Sequence, residues 1–209
     1  MIGTIVKKPR ITVLTELPIL AMAVNAPVHL EKEVISLNNK EHVSMKVPLC
    51  SSWCISPMTT AEYMPTGMTA MLDAVGMTIN HVGQKLASMP EEERPEKVIF
   101  TIVTDGAENS SKEFDWETVR NMIKHQREKY SWVFTFLGAN IDVNRVSDNL
   151  GIDKMLSKRY TASKIGTQKV FNATSKTMSF ARSVSVDSLN NAHTKCCMSS
   201  VLDEVEDKK

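Results

Sequence analysis

The chain has 209 residues, 42% of them apolar, which suits one α/β domain with a substantial core. A formal charge of +1 gives no basis for a nucleic-acid binder, and no apolar run reaches the roughly 18 residues of a membrane span. The opening residues, MIGTIVKKPRITVL, lack the apolar core and small-residue cleavage site of a signal peptide, and four cysteines do not make a disulfide scaffold, so reduced thiols in a cytoplasmic setting are expected.

In chain order, Ile11 to Leu14 is a short β-prone run. Leu17 to Val28 is apolar, interrupted by Pro18, Asn25 and Pro27, and reads equally as strand or helix. Leu30 to Leu37 alternates loosely like a strand, Asn38 to Lys40 reads as a turn, and Lys46 to Tyr63 reads mostly as loop. Thr69 to Ala87 is the clearest helix: Met71, Val75, Thr78, Val82 and Leu86 share one face, with Gly76 and Gly83 inside it. A charged linker from Met89 to Lys97 precedes Val98 to Val103, a β-branched run expected as a strand buried on both faces. Asp115 is the expected N-cap of a second helix, Trp116 to Lys129, with Val119, Ile123, Gln126 and Tyr130 in one stripe. Val133 to Leu137 reads as another buried strand and Val143 to Leu150 as a helix stopped by Gly151. Beyond Tyr160 the pattern weakens: residues 161–188 read either as a helix around Lys169 to Arg182 or as a mobile tail, and Asp203 to Lys209 as disordered. Strands alternating with helices predict parallel crossovers.

The chemistry concentrates where the run VIFTIV meets Thr104, Asp105 and Gly106. A carboxylate at the carboxyl end of a buried parallel strand stands where open α/β sheets bind ligands. Thr69 opens the first helix after the loop Pro65-Thr66-Gly67-Met68, and Asn109, Ser110 and Ser111 extend the loop after Asp105. Such oxygens suit a hard divalent cation. The ordinary alternative is that Asp105 caps a turn and Thr69 caps its helix.

PTGMTAMLDAVGMTI (Pro65 to Ile79) followed by KVIFTIVTDGAENSS (Lys97 to Ser111) resembles the von Willebrand factor type A (vWA) domain, most closely its stand-alone bacterial and phage versions, and WVFTFLGANIDV (Trp132 to Val143) resembles the next strand and loop. The resemblance implies a three-layer, doubly wound, mostly parallel α/β sheet over residues 11–155; the residues beyond it, 156–209, are expected from their own pattern to form a carboxyl-terminal helix and flexible tail. It places the second and third motifs of a metal-ion-dependent adhesion site on Thr69 and Asp105, with Asn109 and Ser110 at the rim. It implies Mg2+ or Mn2+, held weakly or not at all, and a partner protein whose carboxylate completes the metal shell. The family's first motif, Asp-x-Ser-x-Ser, has no counterpart before Thr69, which predicts an amino-terminally truncated or remodelled relative with a missing central strand and unpaired neighbours. The function implied is a protein-interaction module with an incomplete metal site. The alternatives are a degenerate, metal-free structural domain and, with less support, a metal-dependent hydrolase.

Cys50, Cys54 and His42 could meet His193, Cys196 and Cys197 in a tetrahedral zinc site, but the spacings are not those of a finger and free cysteines are the plainer reading. Ser110 and Ser111 have no recognisable base partner, and no nucleotide-binding glycine motif is present.

Overall fold

The computed structural model describes residues 68–206 throughout and, ahead of them, the backbone of four strands. These are β1 (Ile11–Thr15), β2 (Leu20–Val24), β3 (Glu31–Asn38) and β4 (Glu41–Pro48). There follow α1 (Met71–Ser88), β5 (Lys97–Thr104), α2 (Trp116–Tyr130), β6 (Val133–Gly138), α3 (Val143–Leu150), β7 (Ser157–Arg159), α4 (Lys164–Ser183) and α5 (Ala192–Leu202). The sheet order is β4-β3-β2-β1-β5-β6-β7. Strands β1, β5, β6 and β7 run parallel, and β1 to β4 form an antiparallel meander.

The alternation of side chains along β5 and β6 divides the core into two layers. Val98, Phe100 and Ile102, with Trp132, Phe134 and Phe136, face α1, α2 and α3. Ile99 and Val103, with Val133 and Leu137, face α4 and α5. Both strands are buried along their whole length, as their apolar runs demand. This is a three-layer α/β arrangement of generic Rossmann-like type.

The helix ends follow from local chemistry. Asp115 accepts from the Thr118 N–H and starts α2; Ser131, at φ 55°, ends it in the left-handed region. Asp142 caps α3, and Gly151, at φ 70°, closes it, a conformation that favours glycine.

Several sequence expectations need revision. The ambiguous stretch after Leu17 contains β2, and residues 41–48 form a strand that runs into the expected loop from Lys46 onward. The expected open edge beside β5 is absent: β1 pairs with it in parallel, Ile11 opposite Lys97. Helix α4 starts five residues earlier than Lys169, α5 had no expected counterpart, and residues 203–205 form a 3-10 turn with Val205 buried. Lys97 explains part of this order. It is 4% exposed, and its ammonium donates to the carbonyls of Ala181 (3.1 Å), Arg182 (3.3 Å) and Val184. A cation thus satisfies the orphan carbonyls at the end of α4.

Candidate functional site

The carboxyl end of β5 is fastened to the start of α1. The N-cap of α1 is Ala70, which has no side chain able to cap, so its first N–H groups need outside partners. Glu108 Oε2 accepts from the Leu72 N–H at 2.9 Å, and Ser111 Oγ accepts from the Asp73 N–H at 3.1 Å. Thr69 and Asn109 are joined both ways: the Thr69 N–H donates to Asn109 Oδ1 (2.8 Å) and the Asn109 N–H to the Thr69 carbonyl (3.0 Å).

Two carboxylates bear most of this arrangement. Glu108 Oε1 also accepts from the Ser110 and Ser111 N–H groups at 2.9 and 2.8 Å, and Oε2 from Ser111 Oγ at 2.8 Å. Asp73 Oδ2 accepts from the Lys112 N–H (2.8 Å) and Oδ1 from those of Glu113 and Phe114 (2.9 Å each). Phe114 then lies so close to α1 that a Cβ on Gly76 would meet its ring at 2.5–2.7 Å, which is why a glycine stands inside that helix.

Thr69 and Asp105 do come to the same end of the sheet. A Cβ on Gly106, next to Asp105, would lie 3.1 Å from Thr69 Oγ1. Asp105 is exposed, and its carbonyl accepts from Asn140 Nδ2 at 3.2 Å. Asn140 itself is left-handed, at φ 58°. Tyr160, 3% exposed, has a hydroxyl with no hydrogen-bond partner among the described residues. Burial, and secondarily the charge of Asp105, raise its pKa well above the usual phenol range. Ser110 Oγ, one of the expected rim atoms, is also buried with no partner among the described residues.

The metal reading is overturned here. Among the described residues no group of three or more His, Cys, Asp or Glu side chains is disposed to hold a metal ion. The expected adhesion site, its magnesium, and a partner carboxylate completing its shell therefore do not stand. The physical reason is the employment of the neighbouring carboxylates: Glu108 and Asp73 accept from backbone N–H groups rather than turning toward a shared cation position. Thr69 does not cap α1 either, since the cap position belongs to Ala70. Asn109 serves as a brace between loop and helix.

Sequence reasoning passed over Glu108, Asp73 and Tyr160. Asp73, an acidic residue in the first turn of a helix with no capping side chain, was the available signal. Glu108 and Tyr160 offered none, because their roles depend on residues brought close only by the fold. For the zinc alternative, His193 Nε2 lies 3.8 Å from Cys197 Sγ, and Cys196 and Cys197 are free. The side chains of His42, Cys50 and Cys54 lie outside the described residues. No helix among the described residues is long and apolar enough to cross a membrane.

No protein-family model matches the chain, and neither a curated protein nor a solved structure matches it.

Proposed function

We propose that this chain is a metal-independent, non-enzymatic packing module: an α/β domain on the vWA pattern whose carboxyl-end loops fix helix against sheet, leaving function to the surfaces they hold in place. The observation that carries this reading is the engagement of Glu108 and Asp73 with the backbone of α1 and of residues 110–114. Carboxylates that each satisfy several N–H groups are structural acceptors. The vWA relationship is supported by the order of the two motifs, helix-opening threonine before strand-ending aspartate, and by their meeting at one end of the sheet. The pairing of β1 with β5 is compatible with a remodelled amino-terminal part.

Thermal melting with Mg2+, with Mn2+ and with EDTA tests this, beside Asp105→Ala and Glu108→Ala. The melting temperature is expected to be the same in all three conditions and unchanged by Asp105→Ala, whereas Glu108→Ala lowers stability by about 2 kcal/mol by orphaning the N–H groups it serves. A saturable rise with metal, lost in Asp105→Ala, would refute it.

A further inference from the structure

Helix α5 carries His193 and Cys197 four residues apart, on one face of its first turns. Their side chains already meet, with His193 Nε2 lying 3.8 Å from Cys197 Sγ. A zinc ion about 2.3 Å from a sulfur and about 2.0–2.1 Å from an imidazole nitrogen, at a tetrahedral angle, holds those two atoms roughly 3.5–3.6 Å apart. The pair therefore has the bite of a chelate, and a small rotation of the imidazole closes the difference. Thiolate and imidazole select a zinc-class cation and not magnesium, which prefers oxygen.

Two ligands fill half of a tetrahedron. Among the described residues no group of three or more His, Cys, Asp or Glu is disposed to hold a metal, so neither Cys196 nor any other described side chain completes the pair within one chain. The surface around the pair suits a second copy of it. His193, Cys196 and Ser200 are exposed and Cys197 is half-buried. Their spacing of three, four and seven residues makes one ridge, with no formal charge and no long side chain. Lys195, the one Lys, Arg, Asp or Glu of α5, is paired with Asp153 at 3.2 Å. Asp203 and Glu204, just past the helix, are paired with Lys158 and Lys176. An identical ridge therefore meets no like charge along this one. A tetrahedron also contains a two-fold axis that relates its ligands in pairs, the symmetry of a dimer.

We propose that His193 and Cys197 from two copies of the chain bind one zinc-class ion in a closed site of two nitrogens and two sulfurs, linking the copies through α5. Each Cys197 thiol gives up its proton to solvent when the metal binds. The link goes beyond the packing role proposed above and shares no residue with Glu108 or Asp73, so either reading can fail alone.

The test is a titration of the full chain, stripped of metal and kept reduced with a phosphine, with Co2+, followed by Zn2+ and separately by Mg2+. Thiolate-to-cobalt charge-transfer absorption and sedimentation are the readouts. The absorption should saturate at one Co2+ per two chains while monomer becomes dimer. Zn2+ should displace the Co2+ and keep the dimer, and Mg2+ should do neither. His193→Ala and Cys197→Ser should each lose the absorption and the dimer with an unchanged melting temperature in metal-free buffer. Cys196→Ser and the double variant Cys50→Ser/Cys54→Ser should keep both. The proposal is overturned if no thiolate absorption develops, if it saturates at one ion per chain without a change of mass, if the dimer forms equally without metal, if Cys197→Ser binds as the parent does, or if Cys50→Ser/Cys54→Ser abolishes binding, which would place the remaining ligands within one chain.

Discussion

The two faces of the sheet reach the same burial by different means. Toward α1, α2 and α3 the strands present large rings in contact: Phe100 on Phe134 at 5.3 Å and Trp132 on Phe134 at 6.1 Å. Toward α4 and α5 the corresponding positions include Thr101 and Thr135, joined by a hydroxyl hydrogen bond of 2.8 Å across the strands. The helix above them is narrow on its buried side, built from Gly166, Ala173, Thr174, Thr177 and Ala181 beside Val170. One face is held chiefly by apolar area, the other by close approach and by polar groups that must find partners. Thr174 and Thr177 have hydroxyls buried with no partner among the described residues, which holds for no hydroxyl on the helices of the aromatic face.

The sharpest contrast is expected from Phe136→Ala, at a fully buried position of the aromatic face. It should lose about 4 kcal/mol in urea denaturation, the sum of lost transfer energy and a residual cavity. Lys97→Met on the other face should lose about 2 kcal/mol, because the carbonyls ending α4 lose a charged donor while the apolar volume is kept. If Lys97→Met melted like the parent, the second face would rest on apolar burial as the first does, and the distinction would fail. A double-mutant cycle of Thr101→Val and Thr135→Val should show a coupling of about 1 kcal/mol, each single change orphaning a hydroxyl that the double change removes.

Tyr160 gives the smallest effect at neutral pH and a distinctive one in alkali. Its folded-state pKa is raised above the ordinary value of 10.0, first by burial and then by Asp105. The unfolded phenol ionises first, so the stability present below that pH is lost as pH rises through it. Tyr160→Phe should therefore remove part of the alkaline loss seen in denaturation midpoints of the parent, and identical alkaline limbs would show that the phenol is not held neutral.

The same contrast governs what the sequence discloses. On the aromatic face, the stripes of α1 and the runs of β5 and β6 are apolar at the period of their structure, so element and orientation follow from residue type. In α2 the stripe Val119 and Ile123 is buried, while Tyr130 at its end is exposed to solvent. On the other face, α4 buries glycine, alanine and threonine, which leave little amphipathic contrast, and β7 is the three-residue segment Ser-Lys-Arg. Neither carries a legible period. At the candidate site, the meeting of Thr69 with the loop after Asp105 was legible from motif order. The engagement of Glu108 and Asp73 was not, since their helix and loop partners lie up to 41 residues away in the chain.

The buried ammonium of Lys97 also bears on how the molecule opens. Its acceptors lie 84 to 87 residues further along the chain, so strand and helix are tied by an interaction of very long sequence separation. Lifting the end of α4 alone would leave a cation uncovered in an apolar layer and the helix carbonyls bare, which makes a partial opening there more expensive than fraying an ordinary helix end. The carboxyl-terminal turn of α4 and the first residues of β5 are therefore expected to open as one cooperative unit, their amides exchanging with solvent together.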